Sequence, residues 1–459
     1  MGALAIEIND AGLVVADETG VRAIEPGFAY VDRDRIVTGD DARRLSRVKP
    51  RQTSNRFWSA LSLEPGSAGS DIGKSAAELA FAQLDSLWRR VGAGAADVVL
   101  VVPGAYGKEQ LGLLLGLAHE CEIPVRALVD AAAAASVRPY HGRQLIYVDA
   151  GLHRVAVTLM EQSGDAAVRV EHALAQTGLG AVQDAFARRI AEAFVRAMRF
   201  DPFKHADVEQ QVYDRLPGWL EALHDTGRAE LVLSHGGDEF RVTVERDSVL
   251  PAAAGFYRAV TQLIAQHREP SNGLVVQLVD RLAVLPGFID ELARLDDAHI
   301  ERLPAGHAAR SALAALGLAR NTDGQVRLLK RLPWREAAVA IDPVAAVRPG
   351  PSLTPRETPP THVVYRGVAH AVGRGLVIGR EADGARRTLA VDDGANGISR
   401  AHCELAVRDG ELWLRDLSRH GTFVNEKKIV GETTLKRADV IRVGSPGAEL
   451  EVVAVEGGE

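Results

Sequence analysis

The sequence predicts a two-part molecule, a mixed α/β part followed by an all-β sandwich, with an extended linker between them. Three observations carry this. From Asp342 to Pro360 the chain reads DPVAAVRPGPSLTPRETPP, with prolines at 343, 349, 351, 355, 359 and 360; that density removes backbone donors and blocks helix interiors. Before it, apolar runs of strand length alternate with segments of helical period, as in sheets covered on both faces. After it, short runs bounded by Gly, Asp or Ser follow one another without helices. The expected boundaries are 1–335, 336–361 for the linker and 362–459.

The bulk numbers exclude several classes. The 459 residues suffice for two or three domains, and 46% apolar with 25% charged residues is an ordinary globular balance. A net charge of −7 gives no electrostatic case for nucleic acid or an anionic membrane. The first twenty residues lack a basic start and carry Glu7, Asn9 and Asp10 too early for a signal peptide. No apolar run spans a bilayer. Cys121 and Cys403 are too few and too far apart for a disulfide framework or a cysteine metal cluster, which suits a reducing cytoplasm. No His-x-x-His or similar pair stands out, so no metal is assigned.

Along the first part, GSAGSDIGKSA (66–76) fits a relaxed phosphate-loop pattern through Gly73-Lys74-Ser75. A true loop of that kind joins a buried strand directly to a helix. Here NRFWSALSLEPGS precedes it, with a Pro-Gly break, and no partner strand ending in Asp lies at a natural distance. Ser75-Ala-Ala-Glu78 instead reads as a capping box opening the helix AAELAFAQLDSLW. ADVVLVVPG is a buried strand, and Lys108 to Cys121 has helical spacing. DAAAAASV is a short helix that packs closely. QLIYVDAG and RVAVTLME are consecutive strands, VQDAFARRIAEAFVRAM lies in a region of long amphipathic helices, and GLVVQLVD is a further strand. RFDPFKHADVEQQVYDR reads as core packing and a loop.

In the second part GLVIGR, RTLAV, HCELAVR, ELWLRDL and DVIRVG read as strands. Leu412, Leu414 and Asp416 alternate with Trp413 and Arg415, and Arg408 to Glu411 makes a hairpin turn. Four pieces stand at telling intervals: Gly379-Arg380, Ser399-Arg400-Ala401-His402, LRDLSRHGTFVN and LKRADVIRVG. Together, over about Val363 to Val455, they resemble the forkhead-associated (FHA) domain, a β-sandwich whose loops bind phosphothreonine peptides. The resemblance implies that Arg380 and Ser399 hold the phosphate, with Arg400, Arg419 and His420 adding charge or peptide contacts. Gly379, His402, Gly421, Thr422 and Asn425 are implied as structural. The chemistry is coherent: forked guanidinium donors and a hydroxyl suit three phosphate oxygens carrying close to two charges. His420 stands where the family usually has Asn, and imidazole lacks the paired donor and acceptor of an amide, so peptide choice is expected to differ.

The first part, roughly Ala3 to Leu318, resembles the actin and heat-shock-chaperone ATPase superfamily, closest to the seventy-kilodalton chaperones. The signs are VVLVVPG, the Ala-rich segment, IYVDAG and TGLGAV in that order. The resemblance implies an α/β, two-lobed nucleotide-binding fold, with ATP and Mg²⁺ held in a cleft by Glu7, Asp130, Asp149, Gly151, Gly178 and Gly180. The departures are severe. Glu7-Ile8-Asn9-Asp10 replaces Asp-x-Gly-Thr, and Leu152-His153-Arg154 follows the second Asp-x-Gly. Ala181 replaces a second glycine, Asp280-Arg281 replaces the Gly-Gly turn at the adenosine, and the catalytic lysine near NRFWSALS has no counterpart. Glycine is required where backbone approaches phosphate, and Arg281 is expected to fill the base pocket. Asp130 is expected to place a metal or water.

The expected protein is therefore a cytoplasmic adaptor of bacterial type, not an enzyme and with no catalytic residue assigned. A pseudo-ATPase platform carries a reader for a phosphothreonine protein regulated by a Ser/Thr kinase. Thr354 and Thr358 in the linker are candidate sites for phosphorylation and self-association. The alternatives are an active ATPase directed by its FHA domain and a filament-forming subunit. Arg281 and Asn9 favour the adaptor; Asp130 and Asp149 favour the ATPase.

Overall fold

The structure, a computed structural model, describes residues 2–69, 72–163, 165–175, 177–269, 272–318, 326–338, 360–365, 368–373, 375–380, 387–391, 397–408, 411–425, 427–436, 439–444 and 447–453. The expected linker sequence, with Thr354 and Thr358, falls almost wholly outside them. The chain divides into two compact units, Met1–Val347 and Arg348–Glu459. Glu336 is held in the first unit, where its amide donates to Val137 O and its carboxylate pairs with Arg138.

The first unit is built on two mixed sheets that share one plan. In the first, Gly2–Glu7, Leu13–Asp17 and Gly20–Glu25 form an antiparallel meander; Ala95–Val102 and then Val125–Asp130 add in parallel beside Gly2–Glu7. In the second, Arg143–Ala150, Arg154–Ser163 and Asp165–Ala175 form the meander, and Gly273–Val279 and then Ala298–Leu303 add in parallel beside Arg143–Ala150. Parallel neighbours need long crossovers, and the helices Lys108–Glu120 and Arg246–Gln266 lie within two of them. The inner strands are fully buried: Val98 to Val102 on one sheet, Leu145 to Val148 on the other. This is why they read as unbroken apolar runs rather than as alternation. The helix Ala131–Ala135 is buried along its whole length, and its methyl side chains permit that close approach.

RFDPFKHADVEQQVYDR is not a loop. Asp201 caps a turn of 3₁₀ helix at Pro202–Lys204, and Ala206 begins a helix that runs to Thr226. Val208, Val212, Leu216, Trp219, Leu220 and Leu223 recur at helical spacing and are buried. Their packing carries the helix through Pro217 and Gly218 against local propensity.

The capping box at Ser75 is formed. Ser75 Oγ accepts from Glu78 N at 3.2 Å, and Glu78 Oε2 accepts from Ser75 N at 2.8 Å. The next orphan donors are also taken, Ala76 N by Ser67 Oγ and Ala77 N by Ser62 O. The helix N-terminus therefore offers no free amides to a phosphate, and Lys74 pairs with Glu78 at 3.2 Å.

The second unit is a β-sandwich. One sheet runs Val368–Ala371, His362–Tyr365, Ala448–Val453, Val440–Val443, Thr422–Val424, Lys427–Lys428; the other runs Thr388–Ala390, Leu376–Gly379, Cys403–Arg408, Glu411–Asp416, Glu432–Leu435. Leu405, Leu412, Leu414, Ile441 and Leu450 fill the space between. Arg408 pairs with Glu411 at the expected hairpin, whose two tip residues lie outside the described set.

Ser75→Ala removes one arm of the box and lowers the unfolding free energy in urea by about 1 kcal/mol. Lys74→Ala loses only a surface pair and changes it by less than about 0.5 kcal/mol. Equal losses would contradict the capping account.

Candidate functional site

Two places gather the predicted residues. The first is the loop end of the sandwich. The strand Leu376–Gly379 ends where Gly379 passes the second loop so closely that a Cβ would overlap Arg400 O. This crossing lets Arg380 N donate to Ser399 O at 3.1 Å. Arg380 is exposed beyond it, as are Arg400, Arg419 and His420. Ser399 is half-buried, and its Oγ accepts from Arg419 N at 3.3 Å. The structure thus brings Arg380, Ser399 and Arg419 together across three loops. His420 sits beside Gly397 on the same rim.

His402 ties these loops and is fully buried. Its amide donates to Ile378 O at 2.8 Å, and its Nδ1 accepts from Ser399 N at 3.2 Å. Since Nδ1 accepts, the ring proton lies on Nε2, which donates to Gly421 O at 3.3 Å. Burial lowers its pKa, so the ring is held neutral for this work. Thr422 Oγ1 donates to Asp416 Oδ1 at 2.8 Å, and Ser418 N donates to the same oxygen at 3.0 Å. Against a burial penalty, the hydrogen bonds from Ser418 and Thr422 hold Asp416 below its usual range. Asn425 has φ +48° and braces another turn, donating to Asp439 and accepting from Val440 N. The arrangement is a fixed cradle with exposed cations and one hydroxyl at its rim.

The second place is the cleft between the two sheets of the first unit. Glu7 and Asp149 end equivalent strands there and are both buried. Arg281 does not enter a base pocket; it lies between these two acids. Its guanidinium pairs with Asp149, stands 3.5 Å from Glu7 Oε1 and donates through Nε to Ala150 O at 2.7 Å. Asn9 donates to the other Asp149 oxygen at 3.3 Å. Asp10 reaches across from the first hairpin, and its Oδ1 accepts from Leu152 N at 2.6 Å. Gly151 is needed because a Cβ would overlap that carboxylate. Nothing in the local sequence marked this crossing, since its partners are 142 positions apart.

The remaining predicted groups are also committed. Asp130 Oδ1 accepts from Ala132 N and Ala133 N and caps its own helix. Gly178 caps the helix Leu179–Met198, whose first amides, Leu179 N and Gly180 N, donate to Gly151 O and Leu152 O at 2.9 Å. Among the described residues no group of three or more His, Cys, Asp or Glu is placed to hold a metal. Asp10 Oδ2 is buried without a partner at a cavity of about 70 Å³, room for a few waters. A wider cleft of about 870 Å³ lies past the hairpin tips, lined in part by Ala11, Phe28, His153 and Tyr213. On its walls Arg43 and Arg47 are already bound to Asp214 and Asp184.

The charges are unequal, two carboxylates to one guanidinium. Burial raises the Glu7 carboxyl from 4.5 to about 7, outweighing the pull of Arg281, with Asp149 adding to the rise. Arg281 is held protonated despite its burial, by Asp149 and then Glu7. Asp10 is raised by burial, and so is Asp130.

Comparison with known proteins bears on the sandwich. The family model described as the FHA domain matches residues 376–444, which hold Gly379, Arg380, Ser399 and the third loop. No curated protein matches the chain.

Glu7 binds its proton more readily folded than unfolded, so its contribution to stability is complete below 4.5 and is lost as pH rises to about 7. Urea unfolding across that window shows a decline that Glu7→Gln flattens; an unchanged slope in the variant would refute the assignment.

Proposed function

We propose that the chain is a phosphothreonine-dependent adaptor, in which an FHA sandwich reads a partner and the first unit is a platform that works without nucleotide. The observation that carries the reading is the convergence of Arg380, Ser399 and Arg419 on a cradle fixed by His402, inside the segment that matches the FHA domain. Such domains bind phosphothreonine-containing proteins. The ligand class follows from the groups present: an exposed guanidinium for a bidentate grip on phosphate, and a hydroxyl with its proton free to turn outward. A partner regulated by a Ser/Thr kinase fits that chemistry. Both cysteines are unbridged and buried, which suits a reducing compartment such as the cytoplasm.

The platform reading rests on the first unit. Two sheets with one strand order, each sending an acid to a shared cleft, support an actin-like or chaperone-like ancestry. The contents of the cleft support loss of nucleotide chemistry. Asp10 occupies a main-chain donor of the second hairpin, as a phosphate would, and Arg281 lies where Mg²⁺ would sit, paired with Asp149 and beside Glu7. A triphosphate would have to displace both and would meet the uncompensated Asp10 carboxylate.

Two measurements test the halves separately. Full-length protein binds members of a phosphothreonine peptide library by fluorescence anisotropy, and Arg380→Ala weakens that binding by at least about tenfold; equal binding of the unphosphorylated peptides would sink the reader. Calorimetric titration of Mg-ATP into the same protein gives no binding heat. Binding that disappears in Asp149→Ala and persists in Lys74→Ala would restore a working ATPase.

A further inference from the structure

The geometry points to Lys428 as a second anion-binding residue of the sandwich, receiving an acidic side chain that flanks the phosphothreonine. The inference rests on the phosphopeptide reading above and extends it to the partner's sequence. Lys428 belongs to the short edge strand Lys427–Lys428 and pairs across the ladder with Phe423, so it stands on the outer face of its sheet. From there its side chain turns back over Gly421. A Cβ at Gly421 would overlap Lys428 Cε and lie 2.9 Å from its Nζ. The ammonium therefore rests on the third loop of the cradle, next to His420.

That loop is a firm support. Gly421 N donates to Ser418 Oγ at 2.7 Å, Gly421 O accepts from His402, and Arg419 N is held on Ser399 Oγ. From Leu417 to Gly421 the loop carries no acidic residue that could neutralise the lysine. Among the described residues no acid pairs with Lys428, and the side chain is exposed. The positive charge is thus presented outward, already positioned by packing on glycine.

Spacing sets what it reaches. One residue, His420, separates Arg419, on Ser399, from Gly421, under Lys428, a span of at most about 7 Å. An extended peptide covers that distance in roughly two residues. An anion within about three positions of the phosphothreonine then falls to Lys428, while the phosphate itself stays with Arg380 and Ser399. The occupant is a phosphothreonine segment carrying Asp, Glu or a second phosphorylated residue nearby.

The test uses full-length protein and fluorescent phosphothreonine peptides in which Glu, phosphoserine or Ala is placed in turn at each of the three positions on either side. At low salt one position tightens binding by about fivefold with Glu, as an exposed ion pair provides. Lys428→Met, which keeps the aliphatic cover on Gly421 and removes the charge, abolishes that gain and leaves the Ala peptide unchanged. Lys428→Arg retains it. A larger gain with phosphoserine at the same position identifies a doubly phosphorylated partner; equal gains identify an acidic one. The proposal is overturned if no position prefers an anion, or if Lys428→Met weakens Ala and Glu peptides alike, which would mark packing only. Failure of every phosphopeptide to bind the unsubstituted protein, with the Arg380→Ala result equally blank, overturns the phosphopeptide reading itself and this inference with it.

Discussion

A guanidinium held between two buried carboxylates is the constraint on which the first unit depends. Glu7 and Asp149 close the central strands of two sheets and point into one space. Left alone, two carboxylates there would carry a desolvation penalty of several kcal/mol each. Arg281 supplies the counter-charge and its fork reaches three acceptors at once, Asp149, Glu7 and Ala150 O. A lysine would offer a point charge without that geometry. The two sheets are fastened by the same contacts that fill the space between them. A second set of ties, Arg43 with Asp214 and Arg47 with Asp184, joins the segment after Gly39 to the helices of the other half.

The sandwich solves a different problem. Its loops must stand fixed while their cations stay in water. His402 achieves the first by taking an amide from one loop and giving its ring proton to another from a fully buried position. A charged imidazole could not accept at Nδ1, so the burial that keeps the ring neutral also preserves the bond pattern. Asp416 works oppositely: its charge is stabilised by two local donors and organises the turn leading to Thr422.

Legibility in the sequence followed the range of the interactions. Strands buried on both faces, such as Ala95–Val102 and Gly273–Val279, were plain because continuous burial leaves a continuous apolar run. The capping box at Ser75 was plain because its partners lie three residues apart. The cradle residues Gly379, Arg380, Ser399 and His402 were found as spaced motifs, and their loop-to-loop bonds are short in sequence. The helix Ala206–Thr226 was missed: its first half lies in the segment read as packing and a loop, and tertiary packing carries it on through Pro217 and Gly218. Within the cleft the acids were found, while the contacts of Arg281 and Asp130 were not. Asp130 turned inward to its own helix, and Arg281 met a carboxylate 132 positions away. Lys428 was invisible for a similar reason, because its role depends on a fold-back over Gly421.

The two units treat the same chemistry in opposite ways. In both, arginines and main-chain donors gather where loops meet. In the first unit the chain supplies an oxyanion itself: Asp10 takes Leu152 N, and Gly151 carries no side chain that would exclude it. An intramolecular carboxylate is present at high effective concentration, so an external phosphate must outcompete a tethered one. In the sandwich Arg380, Arg400 and Arg419 stand exposed at the loop rim. Asp416 and Asp439 are spent on turns, and Arg380 N meets Ser399 O through main chain. The loop amides Arg419 N and Gly421 N are taken by Ser399 Oγ and Ser418 Oγ, so what the rim turns outward is the side chains of its exposed arginines. The first unit thus answers its main-chain donors with an aspartate, while the sandwich answers them with serine hydroxyls and leaves its arginines exposed.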